Sequence, residues 1–509
     1  MFRNERKLYK RKCDASGENI ISIYSPDKWY KIYDQKFWRS DEWDPMDYKK
    51  DIDFSKTFME QFEVLIQEVP HIGVMTVGCE NSVFTTGTGY CKNCYLICAS
   101  EYAENCMYGR LYQTCKDSLD GENLFECDNT YQCVNCKKCT QCFYLTQSKE
   151  CHECYLSEGL QWCSYCYLCT WLVNKSYCIE NKQYTKEEFL EFFKKQNVWQ
   201  QKEYNDKRFK EIRSNMILPQ AEIINSQQSY GNELFDSNAI KIWYAVNSAE
   251  NCSYISVAEK AKNCVDCDNM YVWPELCFNT LGALTAHDCI CWYYIFNSQH
   301  VLYSYNIHNS NHIFGCSGLR NKSYCIFNKQ YTKEEYEQLV PKLIEHMQET
   351  GEWWEFLEHS LAPFCYNETV AQEYFPLTRE EALEKWYTRQ DNNYDPVVPE
   401  GVDVLQWENI PTDIATVTDD ILKKIFICEV SKRPFRIIKP ELDFYRKHNL
   451  PLPRKHPDVR HEERLAQRQP REMHLRTCDH CGEEMLSVYD KNYPGKVYCE
   501  ACYNKEIYW

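Results

Sequence analysis

Four cysteines near the C-terminus have the spacing of a metal site. In TCDHCGEEMLSVYDKNYPGKVYCEACY, two residues separate Cys478 from Cys481, two separate Cys499 from Cys502, and 17 lie between the pairs. Each pair closes a knuckle around half a tetrahedron, and the loop between them forms a hairpin that joins the halves, the pattern of a zinc ribbon. Four thiolates fill the coordination shell and leave no place for water or substrate, so the expected cofactor is one structural zinc. Near the N-terminus, RKCDASGENIISIYSPDKWYKIYDQKFW repeats the stretch at an offset of 465: Cys13 matches Cys478, Gly17 matches Gly482 and Tyr33 matches Tyr498. Ser16, Asp34 and Phe37 stand where Cys481, Cys499 and Cys502 stand. One thiol cannot hold zinc, so this copy must survive by packing.

A third unit, FICEVSKRPFRIIKPELDFYRKHNLPLPRKHPDVRHEERL, has the same skeleton, with Cys428 and Ser431 in the first knuckle and His456 and Val459 in the second. Two possible ligands out of four predict no structural zinc. The unit carries charge instead. Arg433, Arg436, Arg446, Lys447, Arg454, Lys455 and Arg460 are interleaved with Phe435, Phe444 and Tyr445. Such interleaving suits phosphate contact plus base stacking on RNA or DNA, and the competing reading is a plain solvated face. This string, the segment YNETVAQEYFPLTREEALEKW at 366–386 and the Cys-rich arrays described next resemble an uncharacterised family of multi-module zinc-ribbon proteins from candidate-phyla bacteria. The resemblance covers most of the chain and implies a shared modular architecture with no assigned activity. Ser431, His456 and Val459 depart from the family pattern at positions where cysteines would be expected.

The chain has 32 cysteines, 17 of them from Cys79 to Cys178 and eight from Cys252 to Cys325. Stepping by twelve from Cys94 gives Cys106, Ser118, Thr130, Cys142, Cys154, Cys166 and Cys178, and a second column three residues earlier runs Cys91, Ala103, Cys115, Cys127, Cys139, Cys151, Cys163 and Lys175. Fixed-period self-similarity marks a repeat protein, and twelve residues fit one small coil of a β-solenoid with coils about 4.8 Å apart. The rhythm returns through Cys252, Cys264, Cys277, Cys289, Val301, Ile313 and Cys325, with one thirteen-residue step. Both arrays close on nearly the same words, NKSYCIENKQYTKEEF and NKSYCIFNKQYTKEEY, 147 residues apart, and each TKEE reads as a helix start that covers the open solenoid end. Between the arrays Cys166 faces Ile313, Cys163 faces Ser310 and Cys139 faces Ala286. Metal ligands do not exchange for Ile or Ala in a working site, whereas small buried residues do, so the thiols are read as core filler. The alternatives are an iron–sulfur cluster at CVNCKKCTQC, soft metal ions along the ladders, and disulfides between coils.

The expected fold class is mainly β with helical caps: two tandem β-solenoids of 12 residues per coil, flanked by zinc-ribbon-like modules. The expected division is a degenerate ribbon module at 1–50, a first solenoid with flanking helices at 51–196, a helical linker at 197–222 and a second solenoid with its cap at 223–350. A helical, turn-rich connector follows at 351–410, a degenerate basic module at 411–472 and the intact four-cysteine ribbon at 473–509. Phe58, Phe62, Leu65 and Ile66 have helical spacing and predict an amphipathic helix packed on the first coils. LTREEALEKWYTRQ is expected to be a capped helix whose aromatic stripe is core.

No run of residues is apolar enough to span a membrane and the N-terminus is too polar for a secretory signal, so the chain is expected to be cytoplasmic with reduced thiols. The net charge is −17, yet residues 423–477 carry 15 Lys and Arg against 7 Asp and Glu. A basic arm on an acidic body signals a partner. No phosphate loop, HExxH, nucleophile elbow or dinucleotide fingerprint is present. The leading expectation is a non-enzymatic scaffold with a macromolecular partner, a protein, and with termini able to join a homo-oligomer. The alternatives are RNA or DNA binding through the C-terminal arm, and metal or sulfur storage or redox work by the Cys ladders.

Overall fold

The computed structural model describes residues 3–195, 202–214, 216–290, 293–355, 361–392, 394–395, 397–469, 471–493 and 495–508. Residues 197–201 of the expected linker and 356–360 of the connector lie outside these.

The architecture is that of a mainly β protein built on β-solenoid coils. In the first solenoid, parallel pairing at a step of twelve runs from Thr86↔Cys98 through Arg110↔Glu122 and Val134↔Thr146 to Cys154↔Cys166. Each coil has four sides of three residues. Every third residue takes a left-handed backbone conformation, as at Asn93, Leu96, Ala99 and Tyr102 with φ of 52°, 53°, 46° and 51°. The residue after each corner points inward, so one coil contributes Cys91, Cys94, Ile97 and Ser100, all buried. Left-handed backbone disfavours most L-residues, and Asn and Asp tolerate it best. One corner column accordingly reads Asn81, Asn93, Asn105, Asp117, and its side chains form a ladder, each Nδ2 donating to the next Oδ1 at 2.9, 3.1 and 3.0 Å.

Four inward side chains per coil share a narrow interior, so Cys, Ser, Thr and Ala dominate the columns of the first solenoid, with Ile or Leu interspersed as at Ile97, Leu124 and Leu145. The exception proves the steric limit. Tyr112 points into the first solenoid only because Gly109 and Gly121 flank it; a Cβ at either would stand 2.2 or 2.5 Å from the nearest ring atom. Cysteine also solves a hydrogen-bond problem. Two of the three amides on a side bond to carbonyls of neighbouring coils, as Lys92 N does to Ala103 O and Asn93 N to Glu80 O. The inward residue's own amide faces the core, where the side chain one coil earlier receives it: Cys94 N donates to Ser82 Oγ at 3.1 Å, and Cys264 N to Cys252 Sγ at 3.2 Å. The thiols in turn donate to carbonyls, Cys94 Sγ to Lys92 O and Ala103 O at 3.3 and 3.4 Å. A buried thiol is thus a small hydrophobe that also pairs buried backbone groups.

The second solenoid follows the same rule. Its thirteen-residue step is absorbed where Val272 and Trp273 are both left-handed, so that Asp268 pairs with Leu281. Both arrays end in a plug the sequence did not announce. Asn328 N donates to Cys316 Sγ at 3.2 Å, Asn328 Oδ1 accepts from Ser317 N and Nδ2 donates to Ser317 O, each at 2.9 Å. Asn181 repeats these bonds on Cys169 and Thr170. The helix Lys333–Glu349 follows behind a Thr332/Glu335 capping box, and the helix Lys186–Lys195 occupies the equivalent place. Asn328→Ala is expected to lower stability by about 1–3 kcal/mol, because fully buried backbone groups lose their partners. Thermal melting alongside exposed Asn309→Ala, which carries the same left-handed backbone cost (φ 48°) without the buried bonds and should lose less, checks this.

The solenoids lie side by side with opposed directions. Late in the first array Lys149 meets Glu222 at 3.2 Å, where the second begins. At the other end Met75 packs with Tyr294 and Phe296. This arrangement corrects the expected seat of the amphipathic helix. Phe58–Glu68 packs on the last coils of the second solenoid, with ring centroids of Phe58 at 5.5, 5.3 and 5.2 Å from Tyr303, Phe314 and Phe327. Periodicity gave the apolar face but not its neighbour. In LTREEALEKWYTRQ the expected capped helix forms, Arg379–Glu384 behind a Thr378/Glu381 capping box, but the expected apolar stripe is not core: Ala382 is buried, whereas Leu383 within the helix and Trp386 past its end are exposed.

Candidate functional site

The C-terminal knuckles are held by a short hairpin, His474–Thr477 against Glu484–Ser487, followed by the strand Lys496–Tyr498 and the helix Glu500–Tyr508. Gly482, at φ 76°, turns the first knuckle, where its N–H donates to Cys478 O at 2.9 Å. The Sγ atoms of Cys478, Cys481, Cys499 and Cys502 all lie within 4.8 Å of one another, and Cys481 and Cys499 are 3.8 Å apart. A tetrahedral ion about 2.3 Å from each sulfur sets sulfurs about 3.8 Å apart, so these four groups fit a metal ion. Burial pushes the Cys478 thiol up, but the N–H groups of Cys481, Cys499 and His480 hold it down to about 6. Among the described residues no other His, Cys, Asp or Glu group is drawn together in this way.

The N-terminal module reproduces the framework bond for bond. Asp34 N donates to Cys13 Sγ at 3.2 Å, as Cys499 N does to Cys478 Sγ at 3.2 Å. Ile32 N donates to Asp14 Oδ2, and Val497 N to Asp479 Oδ2, both at 2.7 Å. The middle module keeps the same turn: Cys428 N donates to Arg433 O and Glu429 N to Arg454 O, each at 3.0 Å. The thiol at this position in each module accepts amides that fold the knuckle, as Cys428 does from Ser431 N at 3.4 Å.

The basic arm does not present the face its sequence suggested. Arg433 bonds Asp395 and Asp458 at 2.8 and 2.7 Å, Arg446 bonds Asp419 at 2.6 Å, Lys447 bonds Asn129 at 2.7 Å and Lys455 pairs with Glu463. Arg460 is buried against Asp120 and Glu441. Arg436 is exposed and Arg454 half-buried, and among the described residues neither makes an ion pair. Phe435, Phe444 and Tyr445 are buried, the last two ringed by Tyr131 and Phe143 of the first solenoid. The interleaved aromatics are therefore a docking core; of the seven cations only Arg460 is buried, and Arg433, Arg446, Lys447 and Lys455 are each paired with a protein oxygen nearer the surface.

Sequence reasoning missed the buried ionic floor beneath the solenoids. Arg110 of the first solenoid bonds Glu5 at 2.8 Å and Glu122 at 3.2 Å; Arg3 pairs with Glu5 and with Asp268 of the second solenoid. From the C-terminal arm, Arg468 meets Glu122 at 3.1 Å, His461 meets Glu373 at 3.1 Å, and Arg464 meets Asp120 at 2.9 Å. Arg471 lies 3.6 Å from the ring centre of Tyr374 and bonds Ser256. Its trace in the sequence is that Arg110 and Glu122 interrupt a column that otherwise holds Thr86, Cys98, Val134 and Thr146.

Above this floor the solenoids face each other across a cleft of about 820 Å³. One wall carries the corner column Gly87, Ala99, Leu111, Asn123, Asn135, and the other carries Glu233, Ala245, Val257, Asn269, Gly282, Tyr294. Asn135 bonds Glu233 across it, and Lys149 lies 3.6 Å from the ring centre of Phe235. Burial, then the neighbouring charge of Glu259, raises the Glu101 carboxyl. The four-cysteine module sits at one end of the pair. Lys496–Tyr498 pairs in parallel with Ile217–Pro219 of the crossover, and Trp171 packs against Tyr503 with centroids 6.1 Å apart. Among the described residues no helix is long and apolar enough to cross a membrane. No family model matches the chain, and no curated protein matches it.

Proposed function

We propose that the protein is a non-enzymatic binding scaffold that takes an extended macromolecular partner, a protein segment, in the cleft between its two solenoids. The observation that carries this reading is the cleft itself: about 820 Å³, walled by repeated columns of small, apolar and amide side chains from both arrays, with charged groups such as Glu101, Lys137, Glu233 and Glu259 among them. Long walls of repeated side chains suit an elongated ligand, such as an extended chain, over a compact one. The knuckle modules and the ionic floor hold the walls apart at a fixed distance, which lowers the ordering cost of binding. The tetrathiolate cluster takes one zinc, since a closed shell of four sulfurs is the usual structural zinc environment, and its role is to fasten the crossover between the walls.

A photo-crosslinking residue placed at Leu111 or Val257 is expected to capture a discrete partner in native lysate. The same residue at exposed Tyr254 is expected to capture none, and Ala245→Trp, which fills the cleft, to weaken capture at least tenfold. Equal capture from both faces, or turnover of a small molecule with no macromolecule bound, overturns the scaffold reading.

A further inference from the structure

On the second solenoid, away from the cleft, the regular coil stacks imidazoles. Asp288, His300, His312 and Tyr324 occupy one corner column at steps of twelve, and His287 stands beside it. The rings of His300 and His312 have centroids 4.7 Å apart, and those of His287 and His300 are 6.5 Å apart. Each imidazole has one nitrogen set against an oxygen. His300 Nδ1 lies 3.2 Å from Asp288 Oδ2, His312 Nδ1 lies 3.1 Å from Asn311 Oδ1, and His287 Nε2 lies 3.9 Å from Glu275 Oε2. At 3.2 and 3.1 Å the oxygens beside His300 and His312 can accept from Nδ1 and leave Nε2 a lone pair, the usual second layer around a metal-bound histidine, whereas His287 is too far from Glu275 for a hydrogen bond and its ring is not oriented by it.

The geometry points to a second metal site here, a surface chelate of His300, His312 and His287 for a borderline divalent ion such as Zn²⁺, Ni²⁺ or Cu²⁺. Imidazole nitrogen is the preferred donor for these ions; Asp288 orients the His300 ring, and Asp288 and Glu275 offset the ion's charge. The three nitrogens are not drawn within 4.8 Å as the thiols are. The side chains of His287 and His300 are 47% and 44% exposed, so rotation of half-free rings brings them together on the ion. On the capping helix, Lys333 and Glu337 pair with each other at 3.8 Å and place no net charge beside the column. This site is independent of the scaffold reading.

Isothermal titration of the full chain, with its thiol site already zinc-loaded, tests it using ZnCl₂ as probe. The expected result is one further Zn²⁺ per chain, abolished in the H300Q/H312Q double variant and weakened about 10–100-fold by Asp288→Asn, while His346→Gln on the capping helix leaves it intact. Circular dichroism of the variants, which alter surface groups, should match the unsubstituted protein. With Cu²⁺ in place of zinc, electron paramagnetic resonance should show nitrogen hyperfine structure that the double variant lacks. No binding beyond the first zinc, or undiminished binding in H300Q/H312Q, overturns the site.

Discussion

Cys478→Ser is expected to release the metal and unravel residues 474–508, while Cys13→Ser leaves metal content unchanged. The two residues hold equivalent places in equivalent hairpins, each accepting an amide at 3.2 Å from the second knuckle. They differ in what surrounds them. The N-terminal copy is embedded: Ile32, Tyr24 and Trp38 are buried, and its helical neighbour packs on the second solenoid. The C-terminal module has a small core around Val488 and Val497, and metal binding to such modules is worth about 10–16 kcal/mol of folding free energy. Losing that contribution exceeds what the small core supplies. Serine at position 13 still accepts the Asp34 amide, so its cost is about 1 kcal/mol. Hydrogen exchange reads the difference. In Cys478→Ser, protection should vanish at 496–498 and, through the parallel pairing, at 217–219 of the crossover. Equal loss of metal from both variants contradicts the assignment.

Asp120→Ala is expected to cost about 3–5 kcal/mol, the range for removing one member of a buried ionic group. Asp120 is fully buried and serves two guanidinium groups, Arg460 and Arg464, both themselves buried. Its removal leaves Arg460 with Glu441 at 3.3 Å and strips Arg464 of its carboxylate. The C-terminal arm docks through this contact and through Tyr108, whose hydroxyl donates to Glu441 at 2.7 Å. The variant should therefore melt early and expose 425–465 to protease before the solenoids unfold. Lys423→Ala, which breaks an exposed pair with Asp420, should change stability by less than about 1 kcal/mol. A melting curve for Asp120→Ala that overlays the parent would show the arm to be held by apolar packing alone.

The solenoids were legible in the sequence because their spacing constraint falls on every coil: an inward position must fit a narrow core, so Cys, Ser and small or aliphatic residues recur at twelve even where the outward residues drift. The finer period of three was hidden. Corner residues as different as Asn93, Leu96 and Tyr102 share one backbone conformation, and side-chain type does not reveal it. The tetrathiolate site was legible for the opposite reason, since coordination fixes both residue type and spacing. The basic arm misled because composition counts charges without their partners. Asp120, Glu122 and Asp395 lie far away in the chain and meet Arg464, Arg468 and Arg433 only after the modules dock. The cleft has no local signal at all, because it arises from how two arrays lie against each other.

The most direct test is metal content per chain in anaerobically purified protein, passed over chelating resin to strip weakly held surface ions. The account predicts one zinc, unchanged by replacing Cys139 and Cys142 with serine and lost with Cys478→Ser. Several copper or iron atoms per chain, removed by the ladder substitutions, would mean that the interior thiols bind metal rather than pair backbone and fill the coils.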